Sequence, residues 1–248
     1  MFVGIMPPVP TGPLAPGDIV ITGLGVVSPI GIGKDRFWES LCAGRSGVRR
    51  ISLFDPGGLP VQIAGEIPDF DPQPFVYNRK ALKVMARDIR LGVAAAKLAY
   101  DDGDLGPGQV DPDRLGVVLG ADRICNPVAD SEAPYRSCTL DGRFRFDLWG
   151  SAGLEASFPL SFLRVLPNMA ACHVSIAHDA RGPNNTVHQG EVSSLLALQE
   201  AARVIQRGMA DVMIAGGASS QMDPYDWVRR CTMVVLSARQ PVHRAAPD

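Results

Sequence analysis

The 248-residue chain predicts an α/β fold, a β-sheet covered by helices, and three observations carry that expectation. Arg114 to Gly120 (RLGVVLG) is a short continuous apolar run, the form of a strand covered on both faces. Arg79 to Asp102 repeats Leu82, Met85, Ile89, Val93 and Ala96 at helical spacing, with Lys80, Lys83, Arg87 and Arg90 mostly outside that stripe. Arg181 to Ser220 reads as strand, tight turn, helix and second strand in succession. Strands that alternate with helices point to an α/β architecture.

Composition narrows the class. Hydrophobic residues make up 46% of the chain, enough to bury a core, and the length suits one large domain better than two small ones. A net charge of −2 leaves no electrostatic footprint for nucleic acid or an anionic membrane. Cys42, Cys125, Cys138, Cys172 and Cys231 are scattered without a CxxC pair, which argues for reduced thiols in a cytoplasm. No apolar run reaches membrane-spanning length, and Pro7, Pro8, Pro10, Pro13 and Pro16 break the N-terminus where a secretory signal would be apolar. The expectation is a soluble, cytoplasmic protein.

Taken in order, residues 1–17 read as a flexible, proline-rich leader, 18–240 as the folded domain and 241–248 as a tail. Asp18 to Thr22 (DIVIT) predicts the first strand. Gly23 and Gly25 after it imitate the start of a dinucleotide fingerprint, but Ser28 stands at the third glycine and Pro29-Ile30-Gly31 delays the helix. A glycine turn leading into a helix over Lys34 to Cys42 is the preferred reading. Val61 to Ile67 predicts a strand, Asp101-Asp102-Gly103 stops the long helix, and Cys125 to Ala156 shows no clear periodicity. The latter is a surface excursion or a partner-contact segment. Pro159 to Leu166 and Asn168 to His178 predict two helical pieces interrupted by Pro167.

The Arg181–Ser220 unit carries the chemistry. Asn185 to His188 is its strand, Gln189-Gly190 its turn, and Val192, Leu195, Leu198, Ala202 and Ile205 mark an apolar helix face. Gly208 stops that helix, and Asp211 to Ala215 forms a buried strand ending in Gly216-Gly217. A residue on this turn sits at the positive end of the helix dipole, where a nucleophile is activated. Here it is Glu191. An acidic residue in a first helical turn is also favourable by ~0.3–1 kcal/mol for purely structural reasons.

Other candidates are weaker. His188 and Glu191 can meet across the turn, but two ligands without a third make a poor metal site. His173 and His178 are five apart, too far to share one helical face cleanly. Ser193-Ser194 read as small packing residues, and Asn184-Asn185 as groups satisfying backbone at the strand entry. No cofactor and no metal ligand set is expected.

Several stretches resemble the N-terminal half of a β-ketoacyl synthase, a condensing enzyme with the thiolase-like fold. They are ITGLGVVSPIG, PLSFLRVLPNMAA, GPNNT and ADVMIAGGASS, in that order, and the likeness covers roughly residues 18–240. The resemblance implies a thiolase-like half-fold, with a mixed sheet covered by helices and a central helix after the nucleophile turn. It implies acyltransferase chemistry in fatty-acid or polyketide synthesis, an acyl carrier protein as partner, and a homodimer or heterodimer with a synthase-type subunit.

Two departures qualify it. The family mounts its acyl-accepting cysteine where this chain has Glu191, and Cys172, the nearest thiol in sequence, falls in the preceding helix. The family's second half brings two histidines and a glycine-rich loop, whereas this sequence ends at Asp248 with only His243 in its tail, outside any matching motif. Half of such a fold is expected to expose the apolar face that packs on the other half. Two functions remain: a synthase-type acyltransferase completed by a second polypeptide and impaired for condensation, or a non-catalytic partner of the chain-length-factor kind. The strand Asn185 to His188 is then expected to pair with a partner's strand.

Overall fold

The structure, a computed structural model, describes residues 17–106, 108–121, 124, 128–233 and 236. Cys125, His243, the tail 241–248 and all of the expected leader except Gly17 lie outside the described residues. The chain opens with a small hairpin, β1 (Val27–Ser28) and β2 (Gly31–Ile32), followed by α1 (Lys34–Cys42). Next come the antiparallel pair β3 (Val48–Arg50) and β4 (Ile63–Gly65), then α2 (Arg87–Asp102) and β5 (Leu115–Ala121). The 128–156 segment holds α3 (Val128–Ser137), the short pair β6 (Thr139–Leu140) and β7 (Arg143–Phe144), and α4 (Leu154–Ala156). The last elements are α5 (Met169–His178), β8 (Asn184–Val187), α6 (Ser193–Gln206), β9 (Val212–Ala218) and α7 (Pro224–Thr232).

The central sheet has the order β8-β5-β9 and is parallel throughout. Every residue of β5 is buried, as its unbroken apolar sequence requires. Side chains alternate across it. Leu115, Val117 and Leu119, with Ile214 of β9, join Ile89 and Val93 of α2 and Ala171 and Val174 of α5 in the main core. The opposite face carries Gly116, Val118, Gly120 and Gly217, and α6 lies on it. A β-carbon at Gly120 would meet the backbone of Ser193 and Ser194, and one at Gly217 would lie 2.7 Å from Ser194 Cβ. These glycines let the helix sit close to the sheet. A second, smaller core gathers Ile51, Val61, Ala64 and Trp227, whose indole N–H donates to the Val61 carbonyl at 2.9 Å.

Most elements fall where the sequence puts them, with four differences. Asp18 to Thr22 forms no ladder with any described strand, and Ile21 is 77% exposed. A β-branched run has the propensity for a strand, but a strand needs a neighbour to take its hydrogen bonds. The expected helix over 79–102 is split into a 3₁₀ segment, Arg79–Val84, and α2, because Met85 and Ala86 take extended angles. Its stripe still reaches the core. The strand expected over Asp211 to Ala215 runs on through Gly216 and Gly217 to Ala218. On α6 the buried stripe is Ser193, Ala197, Ala201 and Val204, whereas the predicted face holds Leu195 at 67% exposure and Leu198 at 45%.

Candidate functional site at the turn before the central helix

The site is built by three elements. β8 brings the chain up beside β5, with Asn185 opposite Val118 and Val187 opposite Gly120. Asn185 Oδ1 accepts from the Thr186 N–H at 2.8 Å, a backbone group at the strand entry as expected, whereas Asn184 Nδ2 donates chiefly to the Ser175 hydroxyl at 2.8 Å and more weakly to the Ala171 carbonyl at 3.4 Å. Gly190 then takes a φ of +59°, a left-handed turn that a side chain would resist. Residues Gly190–Val192 make one 3₁₀ turn, and α6 continues from Ser193. The buried Ser193 hydroxyl closes the turn: it donates to the Gly190 carbonyl at 2.7 Å and accepts from the Gln189 N–H at 2.8 Å.

Glu191 is carried outward on this turn. Its side chain is 82% exposed, and Oε1 lies 3.8 Å from Nη2 of Arg230. His188, its suggested neighbour, instead places Nδ1 2.9 Å from the Ala121 carbonyl. Cys172 lies on α5 and accepts a long contact from Asn168 Nδ2, so it does not reach the turn through any described bond. Among the described residues no group of three or more His, Cys, Asp or Glu gathers to hold a metal ion.

α7 supplies what the sequence reading missed. Asp226 is buried and bonds both Arg229, at 3.1 Å, and Arg230, whose Nε lies 3.3 Å away. Arg230 thus spans Asp226 and Glu191. The signal was present: Asp223-Pro224 is a helix start, with Asp223 accepting from the Tyr225 N–H, and Asp226 precedes the arginines by three and four residues.

Two histidines of α5 face inward. His173 sits with Nδ1 3.3 Å from the Tyr77 hydroxyl, and burial pushes it below the usual imidazole range. His178 packs on the Tyr100 ring at a centroid distance of 4.3 Å. Burial, and secondarily Lys97, push it down, while Asp101 pulls the other way. His173 is buried and His178 half-buried. An open, polar cavity of about 460 Å³ between the β1–β2 hairpin and α1, lined by Ser28, Arg36, Glu39 and Arg45, shares no residue with the 188–194 turn.

A parallel sheet whose edge strand turns through a left-handed glycine into a close-packed helix, with helices on both faces, is an α/β layer of the kind the thiolase-like resemblance implies. The family model for the β-ketoacyl synthase N-terminal domain matches residues 17–248, and the chain belongs to that family. The 3-oxoacyl-[acyl-carrier-protein] synthase 2 of Coxiella burnetii is 32% identical over 83% of this chain and 46% of its own length. The tetracenomycin polyketide synthase ketoacyl synthase alpha subunit of Streptomyces glaucescens is 34% identical over 92% and 52%. Among solved structures, a β-ketoacyl synthase from Burkholderia phymatum gives a TM-score of 0.71 at 27% identity, covering 89% of this chain and 51% of that one. The ishigamide ketosynthase/chain length factor gives 0.72 at 24% identity, over 88% and 51%, a likeness of fold. The chain spans about half the length of the relatives it matches. Among the described residues no helix is long and apolar enough to cross a membrane.

Proposed function

We propose that the chain is a β-ketoacyl synthase-type subunit of fatty-acid or polyketide synthesis that does not itself condense acyl groups. It acts as a non-catalytic partner for a carrier-protein-linked acyl chain, in the manner of a chain-length factor. One observation carries the reading: Glu191, at the position the resemblance gives to the family's nucleophile, is exposed and faces Arg230. A thiolate attacks a thioester far more readily than a carboxylate does, and a carboxylate adduct would be a mixed anhydride. An anion here also repels a malonyl carboxylate.

The partners follow from the same frame. β8 is an edge strand, with Asn184 and Asn185 exposed, and its outer side suits pairing with a strand of a second subunit. An acyl carrier protein is the second expected partner. Sedimentation at micromolar concentration with a synthase subunit, and fluorescence anisotropy with a labelled acyl-carrier protein, test both. Association is expected in each; a monomer that binds neither contradicts the reading. Malonyl-carrier protein is expected to release no carbon dioxide above the rate without the chain.

The exposed outer stripe of α6 favours one other reading, a synthase whose site is completed by a second polypeptide. Condensing activity that appears only on mixing with such a polypeptide, and survives Glu191→Ala, would favour it.

A further inference from the structure

We propose that Arg230 is a positioning residue for residue 191, a fixed positive charge that holds an anion at the turn ahead of α6. The inference rests on reading residue 191 as the place where relatives mount their nucleophile, and a separate observation carries it. The Arg230 side chain is 12% exposed, whereas that of Glu191 is 82% exposed. The cation is therefore the built member of the pair and the anion the loose one.

Burying a guanidinium is costly unless it is paired within the fold. Asp226, four residues earlier on α7, supplies that pairing at 3.3 Å, and its own carboxylate is further satisfied by Arg229 at 3.1 Å. The helix that carries them is held to the body of the protein by Trp227, bonded to the Val61 carbonyl. Arg230 is thus fixed from behind by its own helix, with Nη2 directed 3.8 Å from Glu191 Oε1. A pair this long with an exposed anion adds little to stability. Its consequence is electrostatic: a group placed at 191 meets a held positive charge. A thiol placed there would be drawn towards the thiolate.

The test replaces the loose member and reads its acidity. Glu191→Cys and Glu191→Cys/Arg230→Gln are made in the full chain. Alkylation by iodoacetamide is followed against pH by mass spectrometry on the peptide that carries residue 191, which separates it from the native thiols. The midpoint in the single variant is expected below the ordinary thiol value of ~8.5. Removing Arg230 is expected to raise it by about one pH unit, close to tenfold in alkylation rate near neutral pH. The comparison is needed because the helix dipole alone also acidifies a thiol. Equal midpoints overturn the proposal.

Should the double variant fail to fold, a salt series on Glu191→Cys decides. From about 0.05 M to about 0.5 M potassium chloride the midpoint is expected to climb as the charge is screened, and a flat series overturns the proposal. Acyl transfer is not read by this alkylation, so the non-condensing assignment fails or stands independently of it.

Discussion

The two faces of the central sheet are covered in opposite ways. On one, α2 and α5 bring large side chains against Leu115, Val117 and Leu119, and Ile89, Val93 and Val174 are completely enclosed. On the other, α6 buries small residues, Ser193, Ala197 and Ala201 with Val204, and packs Ser193 and Ser194 against a floor that includes Gly120 and Gly217. The large residues of α6, Leu195 and Leu198, point away from the sheet into solvent. A helix that is apolar on both sides belongs to a buried layer. The first face is a finished core; the second is a close-packed joint that sets the turn at 191 and leaves an apolar stripe open.

Substitutions should expose that difference. Ile89→Ala, in the finished core, is expected to cost ~2–5 kcal/mol in urea unfolding, because the surrounding helices cannot close the cavity. Gly120→Ala tests the joint. Its new methyl meets backbone rather than a flexible side chain, so a loss of ~1–3 kcal/mol is expected, with α6 displaced. A Gly120→Ala protein as stable as the parent would show that α6 is not seated where described.

A smaller effect follows from pH, and it concerns the finished face alone. His173 and His178 are held below the imidazole range when folded, so the unfolded chain takes up protons first as pH falls. Their contribution is complete above ~6.5 and is lost as pH drops from there towards the folded values. Urea midpoints measured from about pH 8 down to about pH 5 should therefore fall, and less so in His178→Gln. The least effect is expected on the open stripe. Leu195→Gln should change the stability of the isolated chain by ~0.5 kcal/mol or less while weakening any association through that face.

What the sequence made legible follows the same division. The stripe of α2 and the run of β5 were readable because large apolar residues there face a single core. On α6 the same rule selected the wrong side, since the sheet-facing positions are small and the large ones face away. Asp18 to Thr22 shows strand propensity but is not part of any ladder among the described residues. The turn at 191 was legible from Gly190 and the order of the motifs, whereas Arg230 was not. Its role depends on α7 returning beside a residue 39 positions earlier in the chain, a long-range contact that local pattern does not encode.

The central claim is that position 191 holds an anion that accepts no acyl group. Intact-protein mass spectrometry after incubation with an acyl-loaded carrier protein tests it most directly. The mass of the chain is predicted to stay unchanged, with no acyl group on the peptide containing Glu191. A mass gain of one acyl group, on that peptide or on any of the cysteines, would contradict the account.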